Sequence, residues 1–353
     1  MALPDMTRSI YEFSELPTPA PAKRVGKGGK RRSQSRRLTS RRARVGVIYN
    51  PRSHRNKGQD LALGDRHHVM VATPEKREQI VAALEDFASS EIDYLIINGG
   101  DGTVRDVLTL GQSVFGDDWP VLAVLPKGKT NALNVDLGAP SGWSLVDAID
   151  AFTDGSRLVR RPLAITKVGE EGMPLLGFIF GGGAFTLGIQ AGQDAHQLGF
   201  FDSLAVAATG AWGVLQALFG RDSNAWRRGV RMEITLLPEG KPLVRTQYGK
   251  PERRSIMLAS SLERMPAGIK LFGKEARGIK LSVLDHPRRR ILAAVPAILA
   301  GWQPRWLAAA GFHQLGTEAF EIDIDGQFIL DGEAFPAGHY RVALGPELTF
   351  VTQ

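Results

Sequence analysis

The chain has 353 residues, enough for two domains with hydrophobic cores, and its fractions of 43% apolar and 23% charged residues are those of a soluble globular protein. It contains no cysteine, which excludes disulfides and thiolate metal sites and fits a reducing cytosol. No long apolar stretch follows a positive region near the N-terminus, so a secretory signal is not expected.

The net charge of +7 is concentrated near the N-terminus. Residues 23–44 contain eleven Lys or Arg and no acid, so the rest of the chain is acidic. With Pro17, Pro19 and Pro21 before it, this run predicts a disordered basic tail over residues 1–43. The tail could bind an anionic membrane surface or could be solvated without a partner. It lacks interleaved aromatic residues that would stack on bases, so we expect no nucleic acid partner.

The first half of the remaining chain alternates apolar strands with amphipathic helices. Strands are expected at 44–50, 69–72, 94–97 and 121–125, and helices at about 80–88, from 103 onward and at 143–152. This alternation predicts an α/β domain with an open, mainly parallel sheet.

A glycine-rich turn follows the strand at 94–97. It consists of Gly99, Gly100, Asp101, Gly102 and Thr103. Thr103 is the expected helix N-cap, with Asp106 completing an imperfect capping box. Glycines let a ligand approach the backbone and the N–H groups of a helix start bind anions, so the turn predicts a phosphate site. The Asp101 carboxylate would repel phosphate unless it contacted Mg²⁺ or its water shell.

A second turn of this kind follows the strand at 121–125. It consists of Pro126, Lys127, Gly128, Lys129, Thr130 and Asn131. Successive parallel strands end at one edge of a sheet, so the two turns should line the same ligand crevice. Lys129 could be a mobile point charge beside phosphate or a solvated loop lysine.

From Arg160 onward the pattern changes to short apolar strands separated by turns. They are expected at 163–168, 175–180, 230–237, 255–260, 279–284 and 320–324. Such alternation predicts an all-β, sandwich-like second domain.

Two helical stretches interrupt these strands. Residues 203–220 are uncharged but rich in Ala, Gly, Thr and Gln, which favours a lid helix or a core helix over a membrane span. Residues 288–302 are basic and then apolar, with a kink expected at Pro296. They could lie at a membrane interface, but core packing is the expectation.

Near the C-terminus stand Asp331, Gly332 and Glu333. Carboxylates on either side of a glycine can point the same way, one accepting a proton from an acceptor hydroxyl and the other organising Mg²⁺. An isolated Asp-Gly-Glu is also ordinary hairpin chemistry.

The two glycine turns and the terminal Asp-Gly-Glu together resemble the diacylglycerol kinase catalytic family, which includes sphingosine kinases, ceramide kinases and bacterial lipid kinases. The resemblance covers about residues 44–353. It implies an α/β nucleotide-binding domain over 44–158, an all-β lipid-acceptor domain over 159–337, and a return of residues 338–353 to the first domain.

The resemblance further implies that the protein uses ATP and Mg²⁺ to phosphorylate a primary hydroxyl of a diacylglycerol, a ceramide or a sphingoid lipid. The protein would then be cytoplasmic and peripheral at the inner face of the membrane.

The family's motifs also imply site residues. Those implied to bind the nucleotide are Asn50, Pro51, Ser53, Thr73, Gly99, Gly100, Asp101, Gly102, Thr103, Gly128, Lys129 and Asn131. Asp101, Asp331 and Glu333 are the implied catalytic residues, with Asp101 and Glu333 as metal ligands. The sequence does not say which of Asp331 and Glu333 is the base.

The chain departs from the family pattern at three places. His54 stands where a glycine is usual, and Lys129 where Thr or Ser is usual. Residues 275–278 replace an Asp-Asp-Gly that supports a structural Mg²⁺, so that metal site is not expected. The stretch 131–133 resembles the sphingosine-kinase version, which slightly favours a ceramide or sphingoid acceptor.

Two other functions are compatible with the same motifs. NAD kinases carry a similar glycine turn, so a kinase of a soluble acceptor is one alternative. The departures suggest the other, a degenerate nucleotide-binding regulatory protein. The apolar helices and the sandwich with its Asp-Gly-Glu argue against the first, and retention of Asp101, Asp331 and Glu333 argues against the second.

Overall fold

The computed structural model describes residues 43–53, 55–56, 68–189, 224–274 and 278–353. The predictions for the basic tail, for His54, for the helix at 203–220 and for 275–277 therefore lie outside the described residues.

A six-stranded sheet forms the centre of the first domain, and it uses both ends of the described chain. Its strands are β1 (Val45–Tyr49), β2 (Val69–Ala72), β3 (Tyr94–Gly99), β4 (Val121–Pro126), β5 (Ser156–Arg160) and β19 (Leu348–Thr352). Their order is β2-β1-β3-β4-β19-β5, and all neighbours are parallel except β19 and β5. The predicted open, mainly parallel sheet is confirmed.

Helices cover both faces of this sheet. They are α1 (Arg77–Ser89), α2 (Asp101–Phe115), α3 (Ala132–Leu137) and α4 (Leu145–Asp154). Along β3, Leu95 and Ile97 pack in the same core as α1 and α2, whereas Tyr94 and Ile96 pack with α4. Because alternate strand residues face opposite sides, a strand buried on both sides is expected to be apolar on both, as Tyr94 to Ile97 are.

The second half of the chain is a pair of antiparallel sheets. Their strands are β6 (Leu163–Lys167), β7 (Leu175–Gly177), β8 (Ile179–Gly183), β9 (Val230–Leu237), β10 (Lys241–Pro242), β11 (Arg253–Arg254), β12 (Ile256–Ser260), β13 (Ile279–Leu284), β14 (Phe312–Thr317), β15 (Ala319–Ile324), β16 (Phe328–Leu330), β17 (Glu333–Phe335) and β18 (Gly338–Leu344). One sheet has the order β10-β9-β15-β18-β6-β7, with β11 beside β9, and the other has the order β14-β13-β12-β8-β16-β17. The predicted all-β second region is confirmed.

The two sheets enclose one aromatic-rich core. The ring of Phe328 stacks on Phe180 at 4.7 Å and on Phe335 at 5.2 Å between centroids, and Tyr340 meets it edge-on at 4.9 Å. Side chains from both sheets thus pack in one core, and this packing holds β16 and β17 in the sandwich.

The C-terminal stretch divides between the two parts of the fold. Gly338–Leu344 pairs with β15 and β6 in the sandwich, whereas Leu348–Thr352 lies between β4 and β5 in the first sheet. Of residues 338–353, only this last strand therefore joins the first sheet.

Short helices accompany the sandwich. They are α5 (Ala225–Arg228), α6 (Arg289–Leu299) and α7 (Trp306–Ala310), together with a 3-10 turn at Pro266–Gly268. Ile291 and Ile298 on α6 pack with Leu284 and Phe312 of the sheet, so the expected core packing of this helix is confirmed for its inner face. Among the described helices, none is long and apolar enough to cross a membrane.

Candidate active site

The two glycine turns touch each other through their backbones. A Cβ on Gly100 would stand 2.9 Å from the Cα of Gly128, and a Cβ on Gly128 would stand 2.8 Å from the Cα of Gly100. Because Cβ atoms do not approach other atoms so closely, both positions require glycine. The structure thus brings the two predicted turns together at the carboxyl ends of β3 and β4.

Helix α2 begins earlier than its sequence pattern predicts. Gly100 is the N-cap, with φ −89° and ψ −178°, and its carbonyl accepts the N–H of Val104 at 3.0 Å. The prediction that Thr103 caps this helix is therefore wrong, because Gly100, directly after β3, already accepts the first helical hydrogen bond. The Thr103 hydroxyl instead accepts a hydrogen bond from the Asn50 side chain at 2.8 Å, which ties the first glycine turn to the loop after β1.

The Asp101 carboxylate holds the second turn in place. Its two oxygens accept the N–H groups of Asn131 and Ala132, both at 2.9 Å, so the first residue of α2 caps the start of α3. Burial raises the pKa of Asp101, and these N–H groups oppose the rise because they stabilise its charged form.

The Asn131 side chain forms hydrogen bonds with both backbone groups of Gly128 in the same turn. It adopts a left-handed conformation with φ 51°, from which its side-chain oxygen accepts the Gly128 N–H at 2.7 Å and its amide donates to the Gly128 carbonyl at 2.9 Å. Asn is among the few residues other than Gly that adopt this conformation readily, so the turn uses the residue type it needs.

The loop after β1 is built around two asparagines. The Asn50 side-chain oxygen accepts the N–H of Arg52 at 3.0 Å, while Pro51 is exposed and Ser53 is buried. Asn56 was not foreseen from the sequence. It is buried, and its amide donates to the Asn50 carbonyl at 2.9 Å and to the Asn98 side chain at 3.0 Å. No spacing rule distinguishes this asparagine from other polar loop residues.

Two predicted nucleotide contacts, Thr73 and Lys129, are exposed, and Thr73 lies apart from the glycine turns. Thr73 is exposed at the end of β2, where it lines an open depression of about 320 Å³ with Pro74 and Gln79. Strand β1 separates this end of β2 from β3. Lys129 is exposed on the second turn, where its charge is free to move toward a ligand.

The Asp-Gly-Glu stretch is a tight hairpin turn. Leu330 pairs with Glu333, and the two residues between them, Asp331 and Gly332, have φ values of 47° and 87°. Positive φ at both central residues is typical of a two-residue hairpin. The motif therefore has the conformation of a hairpin turn, as one of its two interpretations predicted.

The Asp331 carboxylate lies at the junction of β7 and β8. It accepts the N–H of Phe178 at 3.0 Å and that of Ile179 at 2.9 Å. Burial raises the pKa of Asp331 to about 7, and the negative charge of Asp101 contributes to the rise. The hairpin thus brings a second carboxylate close to the one at the start of α2.

Glu333 reaches the first glycine turn. Its Oε1 would be 3.6 Å from a Cβ on Gly102, and its Oε2 lies 2.7 Å from the Arg105 guanidinium. The Glu333 side chain is 27% exposed, so it remains open to a ligand. The structure therefore places this carboxylate beside the predicted phosphate site, from the far end of the chain.

Arg105 joins these parts and was missed in the sequence. Its side chain is fully buried, lies 2.8 Å from Asp106 as well as close to Glu333, and donates to the Leu330 carbonyl at 3.4 Å. Burial lowers the pKa of Arg105, but the two carboxylates raise it by more, so it stays charged. The only hint of this burial in the sequence is that Arg105 follows Val104 on a helix whose residues are buried on more than one side.

No group of three or more His, Asp or Glu side chains in the described part of the chain forms a potential metal cage. Mg²⁺ is usually held by one or two carboxylates together with phosphate oxygens and waters. Each carboxylate oxygen has two lone pairs, so Asp101 could contact an ion that a nucleotide brings with it while it also accepts its N–H groups.

Comparison with known proteins identifies the first domain. Residues 44–161 match the model of the diacylglycerol kinase catalytic domain. Residues 44–161 are therefore similar to a diacylglycerol kinase catalytic domain. The predicted resemblance to this family is confirmed, and both glycine turns lie within the matched residues. No curated protein matches the chain at a significant level.

Solved structures share the fold beyond this kinase domain. A diacylglycerol kinase from Bacillus anthracis is 14% identical, with 89% of this chain and 98% of that chain covered and a TM-score of 0.54. A candidate diacylglycerol kinase from the same organism is 13% identical, with 89% and 99% covered and a TM-score of 0.58. At such identities the similarity shows the fold alone, and it extends over both parts of the chain.

Replacing Asp101 with alanine should destabilise the protein, because it leaves two backbone N–H groups of the second turn without their acceptor. We expect the free energy of unfolding to fall by roughly 2–6 kcal/mol, measured by chemical denaturation. As a control, Asp147→Ala removes an exposed carboxylate at the start of α4 and should cost less. An equal loss in the two variants would show that Asp101 does not hold the turns together.

Replacing Arg105 with methionine should lower the turnover number more than the affinity for ATP, because Glu333 loses the cation that orients it. The same change should also lower the free energy of unfolding. Breaking a buried ion pair lowers it by about 3–5 kcal/mol, and the partial exposure of Glu333 and Asp106 should reduce the loss to roughly 2–4 kcal/mol. As a control, Arg44→Met breaks an exposed pair with Glu91 and should cost under about 1 kcal/mol.

The double variant Arg105→Met/Glu333→Gln tests whether the pairing matters for the reaction. If its loss of turnover number equals the combined losses of the two single variants, the pairing has no part in the reaction.

Proposed function

We propose that this protein is an ATP-dependent lipid kinase, which transfers the γ-phosphoryl group to a primary hydroxyl of a diacylglycerol, a ceramide or a sphingoid lipid. Membership of a kinase family implies ATP as the phosphoryl donor. The protein would act as a cytoplasmic enzyme that is peripheral to the membrane, where such acceptors reside.

The position of Glu333 carries this proposal. A carboxylate from the sandwich, 2.7 Å from a buried arginine of α2 and next to Gly102, stands where the nucleotide-binding domain meets the second domain. A binding protein for nucleotide alone would not require a carboxylate from the second domain at this point. Phosphoryl transfer does, because the acceptor hydroxyl must lose its proton as it attacks.

The geometry supports different roles for the two hairpin carboxylates. Glu333 is partly exposed, so it can reach an acceptor hydroxyl and take its proton as a general base. The oxygens of Asp331 are engaged by the N–H groups of Phe178 and Ile179, so this residue positions the hairpin. Arg105 holds the Glu333 side chain in one orientation while leaving one of its oxygens free.

The glycine turns would position the phosphates. First-turn N–H groups of a helix lack partners within the helix, and those at the start of α2 lie in the crevice between the two turns. Asp101 and Glu333 are the residues that would contact Mg²⁺ or its water shell, and the ion would neutralise phosphate charge. Asn50 and Thr103, which are hydrogen-bonded to each other, would form one wall of this crevice.

The stretch 131–133 does not choose among the lipid acceptors. Asn131, Ala132 and Leu133 are buried, and the last two pack in the core of the first domain. They shape the second turn and are not exposed to an acceptor, so diacylglycerol, ceramide and sphingoid bases remain alternatives for the same site.

A panel of acceptors tests the proposal directly. ATP turnover should require a lipid with a free primary hydroxyl in mixed micelles, and it should not be supported by NAD. Turnover with NAD alone would indicate a kinase of a soluble acceptor. Nucleotide binding without turnover on any acceptor would indicate a regulatory protein.

Replacing Glu333 with glutamine should reduce the turnover number by roughly 10²–10⁴-fold, the usual contribution of general base catalysis. The amide keeps the shape of the side chain but cannot take a proton. Glu321→Gln, which changes a carboxylate on the sandwich strand β15, is the matched control and should leave the rate unchanged. A Glu333→Gln rate near that of the wild type at saturating ATP and lipid would contradict the assignment of the base.

Replacing Asp331 with asparagine should change how stability depends on pH. The folded-state pKa of about 7 lies above the ordinary value of 3.8, so ionising Asp331 costs stability as the pH rises between about 4 and 7. Asparagine cannot ionise, so the variant should gain stability relative to the wild type over this window and keep the gain above pH 7. A stability difference that is constant from pH 4 to pH 8 would contradict the raised pKa.

A further inference from the structure

The outward surface of α6 and α7 differs from that of an ordinary surface helix. On α1 the exposed residues include Glu78, Glu85 and Asp86, as expected for a face in contact with water. The exposed residues from 289 to 309 are Arg289, Arg290, Ala293, Pro296, Ala297, Ala300, Trp302, Gln303, Arg305, Ala308 and Ala309. We call this surface the α6–α7 face. It is apolar and basic, and none of its residues is acidic.

Two tryptophans stand at the turn between the helices. Trp302 is 48% exposed, and its ring meets that of Trp306 at 5.9 Å between centroids. The Arg290 guanidinium lies over the Trp306 ring at 3.9 Å. Tryptophan beside arginine on an exposed apolar face is typical of side chains that lie at the level of lipid headgroups.

The arginines of α6 lie at the unfavourable end of the helix. Arg288 is its N-cap, Arg289 and Arg290 follow, and its first turn contains no acid. Cations at a helix N-terminus oppose the helix dipole, so folding does not explain their placement. Arg288 packs on the Tyr248 ring at 3.6 Å, but Arg289 and Arg290 are exposed and form no ion pair within the described residues.

The surroundings of the face are basic as well. Lys270 lies beside the end of α6, where its N–H donates to the Leu299 carbonyl at 2.8 Å, and Lys274 is exposed nearby. In the described stretches 264–274 and 278–317, the only acidic residue is Asp285, which is buried and paired with Arg254 and His313. The face therefore has a positive field that no neighbouring acid in these stretches cancels.

The face is also linked to α3, the helix that follows the second glycine turn. The N–H of Arg264 donates to Asp136 on α3 at 2.6 Å, and six residues later Lys270 contacts α6. A chain of this length spans no more than about 20 Å. The backbone that contacts α6 is therefore within about 20 Å of the backbone that contacts α3.

We propose that the α6–α7 face docks the protein on an anionic lipid surface, with Trp302 and the small apolar residues in the headgroup region and Arg289, Arg290 and Arg305 against lipid phosphates. The apolar and basic composition matches such a surface in both chemistry and charge. The helices lie on the membrane and do not span it. This inference rests on the proposed function, because it delivers the site to an acceptor that is embedded in lipid.

Vesicle sedimentation with the full chain tests the docking face. We compare phosphatidylcholine vesicles with vesicles that also contain phosphatidylglycerol. In the second kind, Arg289→Gln/Arg305→Gln should weaken partitioning at least about tenfold, since each basic residue near the surface contributes about 1 kcal/mol. Trp302→Gln should weaken it several-fold. The effect of the arginine changes should shrink as salt rises, whereas that of Trp302→Gln should persist.

Matched controls change similar residues elsewhere. Lys241→Gln/Arg341→Gln removes two exposed cations from the other sheet of the sandwich, and Val159→Gln changes an apolar residue that is 54% exposed. Both should partition like the wild type. Quenching of tryptophan fluorescence by brominated lipids adds a direct readout, since Trp302→Phe should remove a quenchable component from the six tryptophans of the chain.

Three outcomes would overturn the docking face. The wild type could fail to bind anionic vesicles, or binding could depend on residues 1–42 and be insensitive to the face variants. The third is that the face variants change the oligomeric state measured by light scattering, which would show that a second copy of the chain covers this face.

Turnover separates this inference from the proposed function. With a short-chain acceptor dispersed as monomers, the face variants should turn over like the wild type, and on vesicles they should be slower. If the face variants bind anionic vesicles more weakly than the wild type but no lipid is phosphorylated, the docking face is supported and the proposed function is wrong.

Discussion

The contact between Gly100 and Gly128 is the constraint on which the site depends. Two backbones meet at a distance that leaves no room for a Cβ on either side, and the Asp101 carboxylate fastens them by capping the next helix. The crevice is therefore formed by main chain, whose N–H groups are fixed in direction. If the crevice binds phosphate as we propose, its N–H groups need little rearrangement when the negative charge enters.

A buried cation extends this arrangement to the second domain. Arg105 lies on the helix that the first turn begins, yet two of its contacts, Glu333 and the Leu330 carbonyl, belong to the hairpin of β16 and β17. The aromatic core of the sandwich fixes that hairpin from behind. Packing in one domain thus determines where a carboxylate stands in the crevice of the other, which would couple the proposed acceptor side of the site to the proposed nucleotide side.

The α6–α7 face shows a different use of amphipathic helices. The inner face of α6 packs against the sheet as an ordinary core helix would, and its outer face carries alanine, proline and arginine where α1 carries acids. The sequence pattern of 288–302 was open to both a core and an interface interpretation. The structure confirms the core interpretation for the inner face, and the interface interpretation of the outer face is our proposal.

The sequence by itself determined the resemblance to a kinase family, the fold class and the two glycine turns. These are local features, since a buried strand, a glycine turn and a helix start occupy adjacent residues such as Tyr94 to Thr103, and glycine is required where backbones approach closely. The hairpin chemistry of Asp331 and Gly332 was also visible, because positive φ has a strong residue preference.

Only the tertiary structure decided what these residues do to one another. It made Asp101 a cap for another helix and placed the N-cap of α2 at Gly100 instead of Thr103. It also placed Gly338–Leu344 in the sandwich but Leu348–Thr352 in the first sheet. Arg105 and Asn56 could not be found in advance, because a buried polar side chain is stabilised by partners from distant segments. Those partners, among them Glu333 228 residues away from Arg105, are brought close only when the whole chain folds.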